Sequence, residues 1–415
     1  MKNLDEAREE CAEKEEYSKA LNIKNTVRTI SEENTLNFLS KGNIIPKYGF
    51  PVDTVRLKRN PFDFNDPYGE FDLQRDLVQA ITDYAPGCQV VADKKLITSG
   101  YLLKNPGMEL ERFAYGRCQK CGALTVERFV NYDSRPSTIK CSNIDCKAPI
   151  KQKENNTNAY IIPRFGFMIS KIEDATISKP RRALGRTLEY KGNRDRHPED
   201  SRIGKVTVSI EHNIDDELVA MSNELYTICE CGFGVRGKRK LPKHKDSENK
   251  DCTRKRDGAY HLGTAFRTDV AILTFSDISP PEGESDEDLN GLGGYISVLY
   301  ALIEGVLQQF NIERTEVSGC LLRNGRSCSY VLFDNTPGGA GYVKAITKET
   351  IPRIVDAAIS VLKSCDCGGP EGNGSCYKCL RNYWNQKYHE ILNRGYALRY
   401  LERLREGFEE GSDRI

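Results

Sequence analysis

The spacing of the cysteines restricts this chain more than any other feature. Of fifteen, eight fall into two sets of four, each compact enough to close on a single ion. The first set is Cys118-Gln-Lys-Cys121-Gly122, followed by Cys141 and Cys146. Two cysteines separated by two residues can wrap one tetrahedral ion, and a glycine after the second permits the positive φ of a tight knuckle. The pair some twenty residues later completes a zinc-ribbon-like pattern. The last set is Cys365-Asp-Cys367 and Cys376-Tyr-Lys-Cys379, separated by a Gly/Pro/Asn-rich loop over 368–374. That loop cannot build a core, but it can fold the two pairs onto one ion. Four thiolates leave no open position for water or substrate, so these sites read as structural zinc rather than catalytic zinc.

A middle set, Cys229-Glu-Cys231-Gly232 with Cys252, lacks a fourth cysteine. Either His244 or a distant residue completes a third zinc site, or these are ordinary thiols. Cys11, Cys88, Cys320 and Cys328 read as free core thiols. Disulfides would need an oxidising compartment. The first residues form a charged, helix-like stretch without an apolar signal core, and no run of about 18 apolar residues occurs anywhere. A cytoplasmic protein is expected, with its tight cysteine pairs reduced and metal-bound.

At 415 residues the chain is long enough for two or three compact units. Its 61 basic and 60 acidic residues nearly cancel, so a nucleic-acid surface would have to be a local patch. The pattern along the chain predicts an α+β, multi-domain protein. Residues 1–57 read as two helices and a connector, with Ser31 capping the second helix and Gly42 and Pro46 ending it. Residues 58–157 read as a β-containing segment with the zinc ribbon, and 158–279 as a β-rich middle domain with the second cysteine cluster. An acidic, proline-containing linker follows over 280–288. Residues 290–405 then read as an α/β zinc-binding module. Within it, Ile296, Leu299, Leu302, Ile303, Val306 and Leu307 repeat at helical spacing, 315–334 forms a strand pair, and helices are expected over 352–364 and 379–405. The second of these would start at its last ligand.

From residue 334 onward the residues are no longer generic. Asp334-Asn-Thr-Pro-Gly-Gly-Ala-Gly341, then Cys-x-Cys, then Cys376-Tyr-Lys-Cys-Leu-Arg-Asn-Tyr383, Asn385, His389 and Asn393-Arg394 resemble the MrfA-like zinc-binding domain family. That domain ends certain superfamily 2 DEAD/DEAH-type helicases and occurs in the B subunit of the DISARM phage-defence system. Ile44 to Pro51 and Asp83 to Val91 resemble the stretch that follows the motor in the same helicases. The resemblance implies zinc on Cys365, Cys367, Cys376 and Cys379, and association with a helicase motor on DNA or RNA. It carries over no catalytic residue.

The motor's own signatures are missing. No G-x-x-x-x-G-K-[ST] loop is present to cradle ATP phosphates, and Gly204-Lys205 lacks the flanking residues. The Pro337 to Gly341 loop could present N–H groups to an anion, but it reads better as a crowded turn. His197, His212 and His261 have no visible partners in the sequence.

Candidate nucleic-acid contacts are Lys238, Arg239 and Lys240 in a basic stretch running from Arg236 to Arg256, where clustered cations would release phosphate counterions. Arg381 and Lys387 are further candidates, lying among Tyr383, Trp384 and Tyr388, a mixture that suits stacking on single-stranded bases. Three classes of function remain open. The chain is a non-catalytic DNA-binding module coupled to a helicase, in phage defence or DNA repair. Otherwise it is a metal-dependent nuclease with scattered carboxylates, or a structural scaffold of a defence complex.

Overall fold

In the computed structural model the described residues are 54–60, 73–104, 108–152, 158–192, 197–237, 240–246, 248–278, 292–324, 327–336 and 338–410. The two helices expected at the N-terminus, with Ser31, Gly42 and Pro46, fall outside them. So do Cys11, Lys238, Arg239 and the acidic residues 286–288.

Two strands of unusual length organise the chain. Val206–Cys229 pairs antiparallel with Arg256–Ser276, from Thr207 opposite Ser276 to Cys229 opposite Arg256. At about 3.3 Å per residue, 24 residues can span about 80 Å. The ladder is continuous but for irregularities at Asn213/Asp216, Met221/Leu225 and Ile228/Cys229. Such bulges twist a long ribbon so that its two ends can face different neighbours.

One end builds the C-terminal core. Val206, Val208, Ile210, Ala271 and Leu273 pack with residues of helices α2 (Leu292–Phe310), α3 (Ile351–Lys363) and α4 (Arg394–Glu409). The predicted apolar positions of α2, from Ile296 to Leu307, are all buried there. The strand pair Val317–Asn324 and Ser327–Asp334 joins the sheet against Val270 to Leu273.

The other end serves a second core. Val219, Ala220, Met221, Tyr226, Ile228, Tyr260 and Leu262 pack with strands before residue 170 and with the short helix α1 (Leu77–Asp83). Ala159–Ile162 pairs parallel to the long strand and carries Glu111–Arg117 and Leu124–Phe129 beyond it. A five-stranded sheet stands beside this, in the order Gln74–Asp76, Thr54–Lys58, Phe167–Asp174, Lys95–Leu102, Gln89–Ala92. The fold is α+β with several sheets, as the sequence pattern predicts.

One expectation needs correction. Residues 379–393 do not continue as a helix; they form turns with a single short 3-10 turn at Gln386–Tyr388, and α4 starts only at Arg394. Two asparagines are the cause. The Asn382 side chain accepts from the Trp384 and Asn385 N–H groups, and Asn385 accepts from Asn382 N while donating to Leu380 O. These local bonds offer the backbone an alternative to helix. The ring and cation positions from 381 to 388 therefore cannot be sorted by helical faces.

A buried ion pair ties the two halves of this sheet. Arg112 Nη2 lies 2.6 Å from Asp257 Oδ2, with the side chains only 3% and 6% exposed, and Arg112 also donates to Leu110 O and Val130 O. Asp257→Ala leaves the buried guanidinium with only the largely exposed Glu109, 3.4 Å from Nη2, as counter-charge, and should lower unfolding stability by about 3 kcal/mol in urea titrations. The apolar double variant Arg112→Met/Asp257→Leu should lose less. A single variant within about 1 kcal/mol of wild type would show that the guanidinium finds water instead.

Candidate metal centres

All three cysteine clusters converge. In each, the four ligand atoms lie within 4.8 Å of one another: Cys118, Cys121, Cys141 and Cys146; Cys229, Cys231, His244 and Cys252; Cys365, Cys367, Cys376 and Cys379. A tetrahedral ion with Zn–S bonds of ~2.3 Å would hold sulfurs ~3.8 Å apart, whereas a disulfide needs ~2.05 Å. The observed separations are 3.7 Å for Cys118–Cys146, 3.4 Å for Cys121–Cys141, 3.7 Å for Cys229–Cys252, 3.4 Å for Cys365–Cys376 and 3.6 Å for Cys367–Cys379. Those distances fit a shared ion and exclude cross-linking.

The first centre sits where the strand Glu111–Arg117 ends. Cys118 O accepts from Gly122 N, closing the knuckle, and Gly122 has φ +76°. A Cβ there would lie 2.3 Å from Arg323 O, so the glycine also allows the knuckle to press against the strand Val317–Asn324. The second pair is framed by the two-stranded ribbon Thr138–Lys140 and Pro149–Lys151. The wider spacing between Cys141 and Cys146 is absorbed by a turn in which Asn143 O accepts from both Cys146 N and Lys147 N.

The middle centre closes the connection between the two long strands. His244 places a ring nitrogen at the fourth position that the cysteine count left open. Its Nδ1 must donate to Pro242 O at 2.8 Å, since a carbonyl only accepts, and this leaves the Nε2 lone pair toward Cys231 Sγ at 3.4 Å. Such a bond fixes the tautomer and ring orientation of a ligating histidine. The ring stacks on Phe233, with centroids 4.3 Å apart.

The last centre is held by arginines from outside it. Arg394, at the start of α4, donates to Cys367 O, Leu362 O and Gly369 O, so one guanidinium joins the knuckle, its loop and the end of α3. Arg314 donates to Tyr377 O and pairs with the buried Glu304 of α2 at 2.9 Å. Arg381 is committed locally, to Ser375 Oγ and His389 O. Burial pushes the thiols of Cys121 and Cys379 up, to about 12 and about 11. At Cys118 and Cys376, burial is outweighed by backbone N–H donors and neighbouring thiols, and each falls to about 7.

Other singled-out groups serve packing. The glycine loop's N–H groups of Ala340, Gly341 and Val343 all donate to the Asp334 carboxylate, so the cradle is filled by the chain itself. Burial raises the Asp334 carboxyl despite those donors. Cys88 and Cys320 are buried thiols. His197 and His212 are exposed, while His261 donates to Ser222 O. Lys240 is exposed, and Lys387 donates to Thr187 Oγ1. Among the described residues no helix is long and apolar enough to cross a membrane.

Fold and site together define an α+β protein with three closed four-ligand clusters that could each hold a metal ion. Residues 298–380 match the MrfA Zn-binding domain family and include all four cysteines of the last cluster. Druantia protein DruE of Escherichia coli (strain UMEA 4076-1) is 24% identical over 412 residues, 88% of this chain and 21% of the relative. The chain thus spans about a fifth of that protein's length. Among solved structures, the DUF1998 helicase MrfA bound to DNA aligns over 85% of this chain and 34% of its own, with 11% identity and a TM-score of 0.38. The same helicase with DNA and AMPPNP aligns over 82% and 31%, with 10% identity and a TM-score of 0.27.

Elemental analysis of purified protein should find three zinc ions per chain, and His244→Ala should lower that to two while leaving the others bound. Three ions retained in the variant would remove His244 from the ligand set. Cys379→Ser should unfold the C-terminal core, because a structural zinc supplies on the order of 10–16 kcal/mol of coupled folding energy.

Proposed function

We propose that this chain is a zinc-held, non-catalytic nucleic-acid-binding module of a DNA helicase, acting in phage defence or DNA repair in the cytoplasm. The observation that carries the reading is the MrfA Zn-binding domain match over 298–380, on a centre whose four thiolates leave no coordination position for substrate. MrfA itself is a helicase crystallised on DNA, and the curated relative belongs to a Druantia system. The motor would be of the DEAD/DEAH type, carried on another part of the same polypeptide or on a partner.

The charge distribution supports the nucleic-acid part. The connection between the long strands carries exposed Lys240, Lys243, Lys245, Lys250, Arg254, Lys255 and Arg256. Lys250 pairs with Glu248, but most of the set points to solvent. The middle metal centre pins this loop at Cys231, His244 and Cys252, so its cations are held together rather than dispersed. Clustered cations on an ordered loop suit a phosphate backbone and give binding without sequence readout. Lys238 and Arg239 are assigned to the same surface. Arg381 is assigned with Lys387 to a second one behind the last knuckle.

Replacing Lys240, Lys243 and Lys245 by glutamine should weaken DNA binding about equally across sequences and flatten the salt slope by up to ~0.9 for each phosphate no longer neutralised. Binding that keeps both strength and salt dependence would remove this loop from the interface. The chain alone should hydrolyse no ATP with or without DNA. Robust hydrolysis abolished by a point change within the chain would overturn the non-catalytic reading, and metal-dependent cutting of DNA would favour a nuclease.

A further inference from the structure

A cleft of about 190 Å³ opens between the first and last metal centres. Its lining joins the strand Arg186–Tyr190 and Arg117 to Asn382, Trp384, Lys387 and Tyr388 from the turns after the last knuckle, the two sets touching where Arg186 lies over Trp384 and Lys387 donates to Thr187. The floor is apolar, made by Leu292, Ile296, Leu299 and Tyr300 of α2, with Cys320 and Leu321 beside them.

Four cations line this space, Arg117, Arg186, Arg323 and Lys387, against one carboxylate, Glu189. Glu189 is already paired with Arg117. Among the described residues neither Arg186 nor Lys387 forms an ion pair with a carboxylate. The Arg186 guanidinium lies 4.2 Å from the Trp384 ring centroid, and its buried Nε has no hydrogen-bond partner. Lys387 lies 4.4 Å from the Tyr388 ring centroid. Burial draws Arg186 down to about 10, while Lys387 stays exposed and donates to Thr187 Oγ1. Asp76 and Asp83 act on Arg186, and Glu189 on Lys387, without forming ion pairs with them, so a bound anion would add the direct counter-charge that the cleft lacks.

The size of the cleft narrows the choice of anion. Drug-sized sites run to ~300–1,000 Å³, so this one admits a single flat monomer unit and excludes a double helix. An apolar floor beside aromatic and cationic walls suits a base with its attached phosphate. We infer that the cleft takes one nucleotide of a single nucleic-acid strand, the phosphate facing Arg186, Arg323 and Lys387 and the base resting on Tyr300 and the α2 floor. This rests on the nucleic-acid-binding reading above and assigns it a site.

Trp384 is the sole tryptophan of the chain, so its fluorescence reports on this cleft alone. Titrating the full chain with a twelve-residue oligothymidylate should change Trp384 emission saturably, in step with the anisotropy of a labelled strand. Lys387 belongs to none of the three ligand sets, so Lys387→Gln should leave zinc content unchanged. It should weaken the emission-detected affinity about tenfold. Lys387→Arg should restore most of it. Strand binding by anisotropy with a silent Trp384 would overturn the cleft and leave the broader reading standing; no strand binding by either signal would overturn both. Thymidine monophosphate or inorganic phosphate matching the strand's affinity at Trp384 would show a free small anion to be the ligand and overturn the strand assignment.

Discussion

Everything else in this molecule is arranged around the antiparallel pairing of Val206–Cys229 with Arg256–Ser276. That ladder supplies buried residues to both large cores, Val206 to Ile210 at one end and Val219 to Ile228 at the other. Neither core is made from one continuous stretch of chain, so each depends on the register of the same two strands. A one-residue slip would exchange inward and outward side chains in both places at once. The buried bridge from Arg112 to Asp257 and the clamp of Cys229 and Cys252 stand at the same end and resist such a slip.

The metal centres do what side-chain burial cannot do in those segments. The loop 368–374 and the turns around Cys118 and Cys231 are short, polar and glycine-rich, with little apolar surface to bury. An ion on each set of four ligands would give it a fixed geometry, and neighbouring arginines would spread that order outward. Arg394 reads three carbonyls around the last knuckle, and Arg314 joins its Tyr377 carbonyl to Glu304 on α2. Loss of the ion would therefore leave several buried donors without acceptors, well beyond the four thiols.

Much of the site was legible in the sequence because thiol pairs at short spacing have few other uses in a reducing environment. The eight cysteines of the first and last sets converge as their spacing suggests, and His244 resolves the open position of the middle one. The long ladder was not legible. Its bulges at Asn213–Asp216 and Met221–Leu225 break the two-residue alternation, and the parallel pairing of Ala159–Ile162 joins residues a hundred positions apart. The stretch 379–393 was misread as helix because Asn382 and Asn385 look merely neutral in a helical pattern. Only the structure reveals that their side chains capture the backbone. The cleft was half visible, as cations among aromatics; Arg186 and Arg117 join it from 198 and 267 positions upstream of Trp384.

The direction of the ladder has a mechanical consequence. Hydrogen bonds in an antiparallel ribbon run across the strands. A load drawn along the ribbon axis is then shared by the whole row, while a load that peels one strand from the other meets the bonds singly. Peeling from the loop end would have to begin at Cys229 and Arg256, beside the middle cluster, where an ion would rivet the two strands together. The ribbon is thereby suited to carry tension between its loop end and the helices at its far end without unzipping, as a tie rod does.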